Sequence, residues 1–368
     1  MAVYPSKRPV LLVEDDPWTR VIQVVLDPDT SPERTAAFAD FMSPDEPDFG
    51  RWCEEVRRRV GPFYPCEVQM ISSQSEMRVN IHNADGLVVE SFVVGSDELR
   101  NASRLKVICK YGTIVRNIDE AECRDRSIKI LTLRRRANIA CAEHAFALML
   151  TLARRIHELN GKISTKQLGD AGYPYIPFDL RHTPNGNWAR ISGTRNLHNT
   201  TIGIIGLGEI GREIAVRAAA FEMRVLYFQR TQLDKAEEEA LQVRYAPLTT
   251  LLSESDWIVP QLPGGPSTLH LLGSEQFAFI KPTACIINVS RANVVDRSAL
   301  LDALRSGRLG GFALDPLYEE PGNDSDELLN FPNVILVPHM AGSPRFNGLH
   351  DLDELINKLG REIVSRVD

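Results

Sequence analysis

The sequence predicts an α/β protein of two domains, each built on a parallel sheet, and three observations carry that expectation. The chain has 368 residues, too many for one domain at about 150 residues each as a soft prior. Apolar residues make up 43% and charged residues 25%, which supplies a sizeable core and excludes disordered, collagen-like and coiled-coil chains. Short β-branched runs alternate with helix-like stretches as far as about Pro338, the pattern of a parallel sheet with helical crossovers. The net charge of −7, with only the short triplets Arg57–Arg59 and Arg134–Arg136, excludes a nucleic-acid footprint. Six cysteines without a CxxC pair point to free thiols in a reducing compartment. Lys7–Asp15 is too short and too soon acidic for a signal peptide or membrane span. The expectation is a cytoplasmic protein with no membrane partner.

Along the chain, Val21–Leu26 reads as a buried strand stopped by Asp27-Pro28. Ser31-Pro32-Glu33 reads as a helix start, with an N-cap, a proline in the first turn and an acid behind it. Ser43-Pro44-Asp45-Glu46 repeats the device as a capping box. Gly86–Val89 and Leu105–Ile108 are further strands, separated by a helix start at Ser96. From Ala142 to Leu159, Ala145, Leu148, Met149, Leu152, Ile156 and Leu159 recur at helical spacing. Residues 161–199 show no period and read as a functional or interface loop. Strand–helix alternation restarts at Thr201, and Leu352, Leu355, Ile356, Leu359 and Ile363 mark a terminal helix.

The apolar strand Thr201–Ile205 runs into Gly206-Leu207-Gly208-Glu209-Ile210-Gly211, followed by a helix pattern and a second strand, Val225–Phe228. A bare GxGxxG is a weak signal, but inside a strand–turn–helix unit of about thirty residues it marks a dinucleotide site in a Rossmann-like domain. Gly206 permits the tight turn, Gly208 lets backbone approach a pyrophosphate, and Gly211 lets the helix pack on the strand. The helix N-terminus, Glu209 and Ile210 included, offers N–H groups to the phosphates. An NAD site wants an acid at the tip of the second strand, whereas this one ends Gln229-Arg230-Thr231. Those side chains can donate hydrogen bonds to a 2′-phosphate, so NADP(H) is favoured over NAD(H). If Arg230 only covers the adenine, either cofactor binds.

Three later strands end in polar residues: Asn288-Val289-Ser290-Arg291, Leu314-Asp315 leading to Glu320, and Val337-Pro338-His339. Strand carboxyl ends face the ligand crevice in open parallel sheets, so Arg291, Glu320 and His339 are expected on the edge that carries the glycine turn. Singly, each has a bland reading as a solvated charge, a loop acid or a satisfied histidine. No His/Cys cluster suggests a metal.

These segments, in this order, resemble the D-isomer-specific 2-hydroxyacid dehydrogenases over roughly residues 85–345. Asn288–Arg291 with Val294-Val295-Asp296 is similar to the family's catalytic-arginine segment, Asp315 with Glu320-Pro321 to its acidic segment, and Pro338–Gly342 to its catalytic-histidine segment. Gln261-Leu262-Pro263 stands where many members have His-Leu-Pro beside the cofactor, and Ala142–Ala145 resembles the start of the inter-domain helix. The resemblance implies hydride transfer between a nicotinamide cofactor and a 2-keto or 2-hydroxy acid of D configuration, with Arg291, Glu320 and His339 catalytic. A guanidinium can hold the substrate's carboxylate and carbonyl together. An imidazole can give or take the proton near neutrality, with Glu320 on its other nitrogen. A glutamine at 320 would point to formate-dehydrogenase-like chemistry instead. Val289, Ser290, Arg291, Asp315, His339, Ala341 and Gly342 join the cofactor-binding set by the same resemblance.

The family's substrate loop, Gly-x-Gly before Asp-Asn-Ile-Asp, is altered here to Gly112-Thr113-Ile114-Val115-Arg116-Asn117-Ile118-Asp119. Tyr111, Gly112 and Thr113, with Arg291, remain the substrate-binding candidates. Arg116 and Arg134–Arg136 either bind a second anionic group or make structural ion pairs. Some relatives retain the Arg–Glu–His set as cofactor-sensing corepressors, which keeps a binding protein with little turnover as the alternative function. The implied architecture places a Rossmann-like cofactor domain, 136–343, inside a discontinuous flavodoxin-like substrate domain, 1–135 with a returning helix in 344–368. It also implies a site between the domains and a homodimer built by the long helix and the 161–199 stretch.

Overall fold

The computed structural model describes residues 8–365. Lys7, at the start of the N-terminal stretch, and residues 366–368 lie outside the described residues. The chain divides into two compact units, one of residues 1–140 and 342–368 and one of residues 141–341. The middle of the chain therefore forms one unit, and its two ends together form the other.

The first unit is a five-stranded sheet of β1 (Val10–Glu14), β2 (Glu67–Ile71), β3 (Gly86–Val89), β4 (Val107–Lys110) and β5 (Lys129–Leu131). The order is β2-β1-β3-β4-β5 with every pair parallel, the doubly wound order of flavodoxin-like sheets. All five residues of β1 are buried, because it lies between β2 and β3 with helices on both faces. The C-terminal helix, Phe346–Val364, belongs to this unit. Its Leu349, Leu352, Leu355, Ile356, Leu359 and Ile363 join the core around β1 and β4. Asp351, fully buried, accepts from the Arg136 backbone and guanidinium, each at 2.9 Å, while Lys129 pairs with Glu362 at 2.5 Å.

Two expectations in this unit fail. Val21–Leu26 belongs to a helix, Arg20–Leu26, with Val21, Ile22, Val24, Val25 and Leu26 all buried. It packs against β2, the helix Phe49–Val60 and the C-terminal helix, so it is apolar almost all round and shows no amphipathic period. A short apolar run cannot be told from a strand by period alone. Ser31 caps the helix Pro32–Met42 as expected, but no helix starts at Ser43. Asp45 instead accepts from the backbone and guanidinium of Arg345 at 3.1 and 3.2 Å, and the next helix is capped by Asp48.

The second unit is a seven-stranded sheet. Its strands are β6 (Thr201–Ile205), β7 (Arg224–Phe228), β8 (Val243–Tyr245), β9 (Trp257–Pro260), β10 (Cys285–Asn288), β11 (Gly311–Leu314) and β12 (Val334–Leu336). The order β12-β11-β10-β9-β6-β7-β8 is again parallel throughout. Chain direction reverses its progress across the sheet between β6 and β9, the switch point where such sheets bind ligands. The long helix runs Arg136–Arg154, earlier than its period suggested, and ends where Arg155 turns left-handed (φ 55°) before the short turn Ile156–Leu159. Residues 161–199 contain one short helix, Thr165–Asp170, and otherwise no regular structure. None of the six cysteines is in a disulfide; burial pushes the Cys53 and Cys109 thiols up to about 12, so those two are packing groups rather than nucleophiles. Among the described residues no helix is long and apolar enough to cross a membrane.

Candidate active site at the carboxyl edge of the second sheet

Because its strands are parallel, the second sheet delivers the ends of β6, β9, β10, β11 and β12 to one edge. At the end of β6, Gly206 has φ +98°, and an added Cβ would meet the Gln261 carbonyl oxygen at 2.3 Å. At Gly211 an added Cβ would meet the Gly206 carbonyl at 2.4 Å. The fold itself demands these two glycines. Gly208 differs: its φ is −78°, and nothing lies within 4 Å of an added Cβ. It caps the helix Glu209–Ala220 with no side-chain oxygen for the helix N–H groups, which leaves an anion-receptive end. At the end of β9, Gln261 is buried and its amide nitrogen has no partner among the described residues. An open cradle at Gly208 and an orphaned donor beside the turn both fit a dinucleotide.

Substitution separates these roles. Gly208→Val should melt within a few degrees of wild type, since surface changes cost about 0.5 kcal/mol or less. Its Kd for a nicotinamide dinucleotide, read by fluorescence titration, should rise at least tenfold, or about 1.4 kcal/mol. Unchanged affinity would overturn the assignment of this turn.

At the tip of β7, Gln229 accepts from Leu207 N–H at 3.3 Å and donates to the Thr231 carbonyl at 2.7 Å, tying the glycine turn to the next loop. Arg230 and Thr231 are exposed, and among the described residues the Arg230 guanidinium has no hydrogen bond or ion pair. Leu262 is half-buried and Pro263 exposed, leading to Gly264, where an added Cβ would lie 3.4 Å from Arg291 Cγ.

Asn288 shapes the end of β10. Fully buried, its side-chain oxygen accepts from the Ser290 N–H and hydroxyl at 3.0 Å, and its amide donates to the Arg291 carbonyl at 2.8 Å. Val289 and Ser290 are thereby turned inward, and Arg291 stands exposed with one guanidinium N–H on the Ser290 carbonyl at 2.7 Å. Asn288 was missed as a site residue, although an Asx-type residue ending an apolar strand is a turn signal.

Glu320 and His339 come together. His339 Nδ1 lies 3.0 Å from both Glu320 oxygens, and Glu320 also accepts from Leu317 N–H at 2.9 Å. Burial pushes the Glu320 carboxyl up, but the hydrogen bonds from His339 and Leu317 and the charges of His339 and Arg291 outweigh it, leaving it below its ordinary range. Nδ1 is thus occupied, while Nε2 has no partner among the described residues and the ring is exposed. His339 has a left-handed backbone, φ 49°, a conformation that costs about 1–3 kcal/mol for a non-glycine residue and concentrates at functional sites.

Asp315 underlies this turn. It is 1% exposed; its carbonyl accepts from His339 N–H at 3.0 Å, and its carboxylate accepts from Met340 at 2.7 Å and Ala341 at 3.1 Å. Gly342 is the first residue of the other unit's C-terminal segment. Among the described residues no group of His, Cys, Asp or Glu is placed to hold a metal ion.

Tyr111, Gly112 and Thr113 lie just beyond β4 in the first unit. Tyr111 is 2% exposed, with the Arg135 guanidinium 4.0 Å above its ring, and the Gly112 carbonyl accepts from Leu133 N–H at 2.8 Å. Thr113 is exposed. Arg135 pairs with Glu90 at 3.0 Å, and Arg136 with Asp351 at 2.9 Å and Glu354 at 3.0 Å. Those two arginines are structural ion-pair partners.

The model of the D-isomer specific 2-hydroxyacid dehydrogenase NAD-binding domain matches residues 146–341. The chain belongs to this family. It is 34% identical over 278 residues to a glyoxylate reductase of Thermococcus gammatolerans, covering 75% of this chain and 78% of the relative. It is 36% identical over 265 residues to a glyoxylate reductase of Thermococcus litoralis, covering 72% and 76%. The fold is also that of the apo D-mandelate dehydrogenase of Rhodotorula graminis (TM-score 0.55, 21% identity, 96% and 93% covered). As a 2-hydroxyacid dehydrogenase the chain is an oxidoreductase with an NAD-binding domain for a nicotinamide cofactor.

Proposed function

We propose that this dehydrogenase reduces a 2-keto acid to the D-2-hydroxy acid, with NADPH preferred over NADH. The observation that carries the reading is the His339–Glu320 pair, whose free Nε2 is exposed on the same sheet edge as the glycine turn. When bound, the nicotinamide supplies the hydride for the carbonyl carbon. His339 Nε2 gives the developing alkoxide its proton, and Glu320 on Nδ1 sets the tautomer that makes this possible. Arg291 keeps N–H groups available for the substrate carboxylate and carbonyl. Backbone N–H groups at Gly112 and Thr113 are the further carboxylate donors we assign. The relatives named glyoxylate reductase make glyoxylate the first substrate to try.

The NADPH preference rests on the tip of β7, where Arg230 is exposed without a partner among the described residues and no acid stands to repel a 2′-phosphate. A homodimer is part of the same reading. It is supported by Ile163, Tyr175, Ile176, Leu180 and Trp188, large apolar side chains that are exposed in the 161–199 stretch; light scattering in solution checks it. The test of the function is a screen of small, aromatic, branched and phosphorylated 2-keto acids with each reduced cofactor. NADPH oxidation with a lower KM than NADH is the expected result. Tight cofactor binding with no turnover on any keto acid would overturn the enzyme reading in favour of a cofactor sensor. A clear NADH preference would overturn the cofactor assignment alone.

A further inference from the structure

Behind the His339 turn lies a histidine that the proposed chemistry does not use. His144 sits on the helix Arg136–Arg154, and its Nε2 is buried with no hydrogen-bond partner among the described residues. That nitrogen is 3.4 Å from Asp315 Oδ1, and among the described residues no lysine or arginine pairs with this carboxylate. A carboxylate buried this deeply needs donors on every side. Met340 and Ala341 supply backbone N–H groups, and among the described residues His144 is the basic side chain beside the carboxylate. Both accepted amides follow directly on His339, whose left-handed backbone persists only while its surroundings over-determine it.

We infer that His144 is a positioning residue for His339. With its Nε2 3.4 Å from Asp315 Oδ1, the ring's N–H dipole steadies the carboxylate that holds the Met340 and Ala341 amides, and through them the turn that presents the His339 ring. No proton passes through it, and it touches neither reacting atom. The inference rests on the reading of His339 as the proton donor. It adds a residue 195 positions earlier in the chain (339 less 144) to the set that sets the rate.

The test uses the full-length chain with His144→Phe, which keeps the ring volume and removes the donor, and His144→Gln, which restores an N–H. Amide hydrogen exchange at Met340 and Ala341 should quicken about tenfold in His144→Phe, with β10 and β11 unchanged. The kcat should fall about tenfold with keto-acid KM and cofactor Kd within about twofold, since a misplaced donor costs rate rather than binding. His144→Gln should recover most of both effects, which a merely space-filling ring would not allow. A folded His144→Phe with unchanged exchange and kcat overturns the inference. So does a loss of cofactor affinity as large as the loss of kcat, which would make the ring a cofactor contact. Should the Phe variant not fold, His144→Met against His144→Gln makes the same comparison. A wild-type chain that reduces no 2-keto acid overturns the functional reading, and the exchange comparison still decides the role of His144.

Discussion

His339→Gln is expected to lower kcat for 2-keto acid reduction by about 10²–10⁴-fold, the usual worth of a positioned general acid. Cofactor affinity should stay within about threefold. Glutamine keeps an N–H and much of the ring's reach, so the loss reports the proton rather than the space. The Nε2 atom is the one that matters, because Nδ1 is committed to Glu320 at 3.0 Å. The pH dependence follows from Glu320. Its carboxyl is held below the ordinary glutamate value of 4.5, so the pairing is fully present above that value and is lost as the pH falls through the lowered one. Across the neutral range Glu320 therefore stays anionic, and changes in kcat there belong to other groups. At 41% exposure the pair is screened by solvent and contributes little to global stability. Pre-steady-state mixing of enzyme, NADPH and keto acid separates the chemical step from product release. A His339→Gln enzyme with wild-type single-turnover rate would remove His339 from the chemistry.

Arg291→Ala should cut kcat/KM by about 10²–10⁴-fold, from the loss of two charge-assisted hydrogen bonds at about 1.5–3 kcal/mol each. Arg291→Lys should recover only part of this, because an ammonium keeps the charge without the planar fork. The fold should tolerate both changes, since Arg291 is exposed and, among the described residues, its guanidinium hydrogen-bonds only the neighbouring Ser290 carbonyl. Its backbone placement belongs to Asn288, which neither variant alters. Saturation kinetics with glyoxylate and melting curves for the three proteins give the comparison. A wild-type KM in Arg291→Ala would show that the carboxylate is held elsewhere.

The glycine turn and the strands around it were legible because their signal is local. Strand, turn and helix succeed one another within Thr201–Ala220, although the carbonyl that excludes a side chain at Gly206 comes from distant Gln261. The placement of Arg291, Glu320 and His339 on one sheet edge was legible for a related reason: parallel strands send their carboxyl ends to one edge, so a polar residue after an apolar run already has an address. Periodicity failed where burial was complete. The helix Arg20–Leu26 is enclosed on almost every side and so carries no polar face to betray its turn, and the central strand β1, buried at all five residues, shows no alternation.

By itself, the sequence determined that this is a dinucleotide-binding α/β protein with an Arg–Glu–His set after three strands, since those features depend on neighbours a few residues apart. Only the tertiary structure decided which polar groups were already spent. Arg135 and Arg136 were candidates for an anion until Glu90, Asp351 and Glu354 were found beside them. Asp315, a cofactor-binding candidate by resemblance, has its carboxylate accepting from the Met340 and Ala341 amides, with His144 Nε2 at 3.4 Å. Such pairings join residues far apart in the chain, and a charge in a sequence does not show its partner until folding has brought the partner to it.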